Sequence, residues 1–340
     1  MIYLQIILSA SIYLLIIYFF NKTEIFNKNR FPHQNFVSKN PVLPIGGYFI
    51  VILYLVINFK NFNLSFIYLF SIFLIGALSD LKKFNSPKYR FIAQSIIVVL
   101  FIIHFDVKIV STRIDLFDQI IENHFFSVIF VSFCFLILIN GTNFIDGLNG
   151  LVLFYYLFIV VILNFSGPNL ILYKNDLFFN NVLIILSFLL ILNVLNKIYL
   201  GDGGSYLIGF LFAYYLIGIY EKNPSVSPFY IILLLWYPCF ENLFSILRKF
   251  KFKKSAAEAD TKHFHQLLFY FFSKNINIKN KLIINNFTSI IINLFNLIIF
   301  FIGTKFITKT NIQIFLIFSN LMIYLYVYYM LFKYRYKKIK

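Results

Sequence analysis

Long apolar runs recur from one end of this chain to the other, and nothing else about it constrains the fold as strongly. A helix of about 20 apolar residues crosses a hydrocarbon core roughly 30 Å thick. The runs lie near Ile2–Phe20, Gly46–Phe59, Leu64–Leu78, Tyr89–Phe105, Phe125–Ile139, Leu151–Phe165, Val182–Leu195, Tyr206–Tyr220, Phe229–Leu247, Leu282–Gly303 and Ile312–Phe332. Only 13% of the 340 residues are charged and 60% are hydrophobic, too little charge to cover a soluble domain of this size. The expectation is an all-α, polytopic membrane protein of about eleven transmembrane helices, forming one integral membrane domain over 1–340. The first run opens with Tyr3, Gln5 and Ser9 rather than basic residues and meets no small-residue cleavage site, so it reads as a retained helix.

The net charge of +17 invites a nucleic-acid reading, but its distribution argues for topology instead. With eleven spans, about 23 of the 30 Lys and Arg fall on one side, which the positive-inside rule makes cytoplasmic. The N-terminus is then expected outside and the C-terminus inside, with the basic excess facing anionic membrane lipids and no nucleic-acid partner. Cys134 and Cys239 lie inside apolar runs and imply no disulfide framework. The segment Asp106–His124 is expected outside, as a short interfacial element.

Polar chemistry gathers at the ends of the spans on the basic side. Asn140-Gly-Thr-Asn143-Phe-Ile-Asp146-Gly-Leu-Asn149-Gly150-Leu151 separates two apolar runs. Ionisable groups beside membrane segments commonly line a site, and glycine lets backbone approach a ligand. Asp80 closes Gly76-Ala-Leu-Ser79-Asp80, with Lys82, Lys83, Lys88 and Arg90 downstream, and Asp202 lies in Gly201-Asp202-Gly203-Gly204-Ser205. Three carboxylates beside several cations on one face suit a metal–phosphate site. Mg²⁺ takes one or two carboxylates together with phosphate oxygens and water, and Lys or Arg offsets the remaining charge. Gly201, Gly203 and Gly204 are expected to turn backbone N–H groups toward a diphosphate, with Ser205 as an N-cap of the next helix. The plainer alternative is that these Asp and Ser residues only cap helix ends, though ordinary caps do not need glycine clusters.

The basic loop Arg248–Lys281 holds Asp260-Thr-Lys262-His263-Phe-His265-Gln266. Histidines at i, i+2 do not share a helix face, which argues against a helical zinc pair of the i, i+4 type. Imidazoles donate to phosphates or sugars equally well, and two solvated loop histidines are the bland alternative. Pro44-Ile-Gly46-Gly47, entering the second run, fits close backbone packing at least as well as a ligand contact.

These pieces, in this order, resemble the polyprenyl-phosphate N-acetylhexosamine-1-phosphate transferases, glycosyltransferase family 4, and within them the sugar-initiating bacterial branch. The similarity runs from about Pro44 to Leu268. It rests on Pro44–Gly47, on Gly76–Arg90 followed by Gln94, on Asn140–Leu151 at every fixed position, on Gly201–Ser205, and partly on Asp260–Gln266. Three positions depart: Ser79 stands where the family has the first Asp of an Asp-Asp pair, Thr261 for an Arg, and Gln266 for the last His. Ser79 matters most, because a hydroxyl cannot act as a carboxylate base. Attack by a phosphate needs little base help, however, since its second pKa is about 6.

The resemblance implies an enzyme of the bacterial inner membrane with its site on the cytoplasmic face. It would move N-acetylhexosamine-1-phosphate from a UDP-N-acetylhexosamine to polyprenyl (undecaprenyl) phosphate with Mg²⁺ (or Mn²⁺), releasing UMP. GlcNAc is the first expectation, with a 6-deoxy sugar such as QuiNAc or FucNAc next. A phospho-MurNAc-pentapeptide transferase is less favoured, because that branch carries three consecutive His. By match to the motifs, Asp202 and Asn143 would hold the metal. Asp146 would orient phosphate, metal shell or nucleotide, and Asp80 would steer the lipid phosphate. Lys88, Arg90, His263 and His265 would neutralise phosphates, and Asn149 would meet the nucleotide. The rivals are a non-catalytic paralogue, resting on Ser79, and a transporter, for which Glu241 is the one acid set inside a span. The oligomeric state is not legible, and a homodimer stays open.

Overall fold

The computed structural model describes residues 2–23, 42–57, 64–165, 177–251 and 262–336, all of its regular structure being helical. In chain order the helices are α1 (Ile2–Thr23), α2 (Gly46–Ile57), α3 (Ser65–Asp80), α4 (Pro87–Phe105), α5 (Asp115–Ile121), α6 (His124–Ile145), α7 (Leu151–Phe165), α8 (Leu177–Val194), α9 (Gly201–Lys222), α10 (Pro228–Lys251), α11 (Phe264–Asn275), α12 (Lys281–Lys305) and α13 (Thr310–Tyr336). The eleven apolar runs form the bodies of all of these but α5 and α11. Among the described residues, α4, α6, α9, α10, α12 and α13 are long and apolar enough to cross a membrane, and the other five runs form shorter apolar helices. This is a multi-pass membrane architecture. The segment between α4 and α6 carries the short α5, and α11 lies in the basic loop.

The hub is α9. Of its apolar stretch 83% is buried, against 22% for α4 and for α13, whose outer faces suit lipid. It packs on α3 and α6, and also on α2 and α10. Glycines permit this closeness. A Cβ on Gly47 would lie 2.6 Å from the Gly204 nitrogen, one on Gly76 2.5 Å from the Asp202 carbonyl carbon, and one on Gly209 2.7 Å from Ile139 Cα. The approach to α2 is laced to the approach to α9: Tyr199 N–H donates to Leu43 O (3.0 Å), Gly46 N–H to Tyr199 O (3.0 Å) and Gly47 N–H to Leu200 O (3.2 Å). Two of the N–H groups that the first turn of α2 leaves unpaired are satisfied in this way. The Pro-x-Gly-Gly signal is therefore a packing device.

Two helix ends differ from the hydropathy reading. The body of α9 was expected from Tyr206, but the helix starts at Gly201, so Ser205 is its fifth residue and not an N-cap. Likewise α6 runs to Ile145, six residues past the apolar run, so Asn140 and Asn143 lie on one helical face at i, i+3. At the start of α9 the Asp80 side chain satisfies the backbone, and at the end of α6 Asn140 and Asn143 bond side chains of α4 and α9, neither of which an apolar window registers.

Inside α10, Pro238 has no N–H for the Leu234 carbonyl. The Tyr155 hydroxyl of α7 donates to that carbonyl at 2.8 Å. At the far end of α9, Arg113 gathers three connections. Its guanidinium donates to Thr308 O, Thr310 Oγ1 and the carbonyls of Pro224, Ser225 and Val226, at 2.8–3.2 Å.

Candidate active site

The N-terminus of α9, the C-termini of α3 and α6, the first turn of α4 and the start of α11 meet at one end of the bundle, and the polar motifs sit there. Asp202, in the first turn of α9, is the centre. Its Oδ2 accepts from Arg90 Nη1 at 2.6 Å and from the Ser79 hydroxyl at 2.7 Å, while Arg90 Nη1 also donates to Ser79 Oγ. Its Oδ1 accepts from Asn143 Nδ2 at 2.8 Å, and the same amide reaches Ser205 Oγ at 3.0 Å. Tyr206 OH closes the group at 3.3 Å from Arg90. With its side chain 30% exposed, Asp202 remains open to a ligand.

Asp80 plays a different part from the one expected. It is buried, and both carboxylate oxygens are occupied by the free N–H groups of α9: Asp202 N at 2.9 Å and Gly203 N at 3.1 Å. A carboxylate at a helix N-terminus satisfies orphan donors and favours the helix dipole. The backbone groups expected to cradle a diphosphate at Asp202 and Gly203 are thus bonded to Asp80. Gly201 has φ +76°, open to glycine at little cost, and a Cβ there would stand 2.7 Å from Asp80 Oδ2. On α3 the residue that faces Arg90 and Asp202 is Ser79, one position earlier.

Asp146 follows the end of α6 as its C-cap. Burial first, and then the negative charge of Asp202, push its carboxyl up to about 8. A cation beside Asp146 would favour its ionised form. The segment after it is roofed by the start of α11. The His263 ring lies 5.5 Å from Phe144, and His265 stacks on His263 at 5.7 Å with planes 12° apart. His265 is fully buried and presses on Gly147, where a Cβ would strike its ring. Burial, and then the neighbouring His263, pull His265 down to about 3, so it is neutral. Neither of its ring nitrogens has a hydrogen-bond partner among the described residues.

The structure therefore gathers Arg90, Asn143 and Asp202 directly. It sets Asp80 and Gly201 beneath them and brings Asp146, His263 and His265 to the adjoining segment. Two expected residues are not bonded to this group. Lys88 is exposed at the start of α4. Asn149 is buried in the scaffold, its side-chain amide donating to Asn193 O (2.9 Å) and Asn196 Oδ1 (3.1 Å) and its backbone N–H to Asn285 Oδ1 (2.8 Å). Asp260 and Thr261 lie outside the described residues.

Sequence reasoning missed Ser79 as a participant, and also Lys249. The ammonium of Lys249 lies 5.6 Å from the centre of the Phe144 ring, within the site motif. The only signal for Lys249 was a basic pair closing an apolar run. Glu241, read as the mark of a transport path, is bonded to the His263 side chain of the site's roof instead.

Among the described residues no three His, Cys, Asp or Glu side chains converge as metal ligands. An all-protein cage is absent from them. The local donors are hard oxygens: the carboxylates of Asp202 and Asp146, the Asn143 carboxamide and the hydroxyls of Ser79 and Ser205. Few carboxylates, with the remaining ligands drawn from substrate phosphates and water, is the manner of Mg²⁺.

A family model described as glycosyl transferase family 4 matches residues 62–220, which hold Ser79, Asp80, Arg90, Asn143, Asp146 and Asp202. An undecaprenyl-phosphate α-N-acetylglucosaminyl 1-phosphate transferase of Thermotoga maritima is 27% identical over 279 residues, 82% of this chain and 83% of that protein. A protein of Bacillus subtilis described as a probable undecaprenyl-phosphate N-acetylglucosaminyl 1-phosphate transferase is 27% identical over 213 residues, 59% of this chain and 56% of its own length. With the same motifs gathered at one end of a helical membrane bundle, the chain is similar to glycosyl transferase family 4 over residues 62–220.

Proposed function

We propose that this chain transfers N-acetylhexosamine-1-phosphate, GlcNAc-1-phosphate in the first instance, from a UDP-sugar to undecaprenyl phosphate in the bacterial inner membrane, and so initiates a cell-envelope polysaccharide. The observation that carries the reading is Asp202, part-exposed and held by Arg90, Ser79 and Asn143 from three other helices. The two relatives bear names for this activity, which supports the same acceptor and sugar here.

An oxygen of the prenyl phosphate attacks the β-phosphorus of the UDP-sugar. A new P–O bond forms as the bond to UMP breaks, and UMP leaves with the electron pair. One phosphoanhydride replaces another, so no further energy source is consumed. The demands are to bring two anions together and to stabilise charge on the transferring phosphoryl group. Arg90 supplies a fixed guanidinium beside the open face of Asp202. The Ser79 hydroxyl can donate to a phosphate oxygen where a carboxylate would repel it. His263 closes the adjoining side, with His265 buried and neutral behind it against Gly147. Asp202 with Asn143 would hold Mg²⁺, and Asp146 would join them or orient phosphate. The ion would neutralise diphosphate charge. With the basic ends inside, this site faces the cytoplasm, where the nucleotide sugar is made.

The test is a membrane or detergent assay with radiolabelled UDP-GlcNAc, UDP-QuiNAc and UDP-FucNAc and undecaprenyl phosphate. Labelled lipid and UMP are expected, with UDP-GlcNAc the best donor. Asp202→Asn is expected to lower kcat by at least about 100-fold, as loss of a charge-stabilising group does. Near-normal Mg²⁺-dependent turnover in that variant would sink the assignment of Asp202, and vesicle uptake of solute without UMP release would sink the enzyme reading.

A further inference from the structure

Glu241 lies in the middle of α10 with no solvent exposure. A buried carboxylate is costly unless it is paired and hydrogen-bonded. Three donors converge on it from two other elements. His263 Nδ1 lies 2.9 Å from Oε1, the backbone N–H of Phe264 donates to Oε1 at 3.3 Å, and the Tyr324 hydroxyl of α13 donates to Oε2 at 2.5 Å. Accepting from all sides is the pattern of an ionised carboxylate, which has no hydrogen to give. His263 Nδ1 must then carry the hydrogen, and Nε2 is the nitrogen free to meet a ligand. The stack of His265 on one face and Phe144 near the ring fix its plane. The Phe264 contact also pins the first turn of α11, so the acid sets both the helix and the imidazole that precedes it.

We propose that Glu241, supported by Tyr324, is a positioning residue. It holds the Nδ1 hydrogen of His263 on its own carboxylate and so presents Nε2 as the acceptor for a hydroxyl or amide N–H of the nucleotide sugar, acting on the reaction only through His263. The proposal rests on the transferase reading above, and the groups it links lie outside the Asp202 cluster. A carboxylate that fixes an imidazole's tautomer and ring orientation is a recurring arrangement wherever histidine must present one nitrogen.

The experiment uses the purified full chain in detergent, in two arms. In the kinetic arm, Glu241→Gln, His263→Gln and the double variant are assayed with UDP-GlcNAc and undecaprenyl phosphate. E241Q is expected to lower kcat/KM by about 10- to 100-fold, as loss of such supporting partners does elsewhere. The double variant is expected to be no worse than H263Q alone, because residues acting as one unit are not additive. Additive losses, or E241Q with the kcat/KM of the parent, would overturn the proposal. If E241Q does not accumulate, Tyr324→Phe keeps the carboxylate and enters the same cycle, with a several-fold loss that vanishes in the H263Q background.

In the spectroscopic arm, ¹⁵N-histidine labelling gives only five side chains to follow. The signals of His263, identified by their loss in H263Q, are expected to show hydrogen at Nδ1 and to move toward the other tautomer in E241Q. Unchanged signals would overturn the proposal. This arm needs no turnover, so a chain that fails to transfer any tested sugar would sink the functional reading while Glu241 is still judged by the spectra.

Discussion

Ser79 and Asp80 are neighbours with opposite duties. Consecutive helical side chains point about 100° apart, so Asp80 turns into the packed end of α9 while Ser79 turns to Arg90 and Asp202. Asp80→Asn keeps an oxygen for one N–H but loses the charge at the helix end. It is expected to cost about 1–3 kcal/mol of stability, read as a lower melting temperature along with reduced activity. Ser79→Ala removes one hydroxyl at a charged cluster and should lower kcat/KM by about tenfold. Ser79→Asp places a second carboxylate beside Asp202, so the Mg²⁺ concentration for half-maximal activity should fall several-fold. An unchanged requirement would mean that position 79 does not face the cation. That Ser79 is engaged by both neighbours argues for an altered site rather than a dead one. None of this division was legible from the motif, which shows two adjacent positions and not the direction each faces.

At the scale of elements, hydropathy located the bodies of eleven helices but not the polar ends of α6 and α9. Asn140, Asn143 and Asp202 lower the apolar score of a window, yet each is bonded to another helix: Asn140 to Gln94 of α4 at 3.1 Å, Asn143 to Asp202 itself. Such ends are stabilised in trans and leave no local trace. The short α11 escaped for a related reason, being fixed by Glu241 from α10 and by His263 before it. Asn149 shows the converse error, where a motif position reads as a ligand but serves the scaffold. The Tyr155 bond to the carbonyl freed by Pro238 gives a test at this scale. Tyr155→Phe leaves that buried carbonyl unpaired and should cost about 1–3 kcal/mol, seen as a lower melting temperature with little change in KM.

Across the whole molecule, the site and the Arg113 clamp occupy opposite ends of α9. Arg113→Ala should lower the melting temperature by about 1–2 °C, as a loss near 1 kcal/mol does in a chain of this size, and leave kcat at low temperature unaltered. A fall in kcat as large as that of D202N would show that the two ends are coupled. The site itself has two unlike halves. Behind one half, Gly47 and Gly76 bring the backbone of α2 and α3 against that of α9, with less room than a methyl group. The facing half is assembled from side chains of α10, α11 and α13. A larger side chain on this backbone seam would push α9 from α2 and α3 and move Asp202 with it, so variation in substrate choice has room only in the facing half.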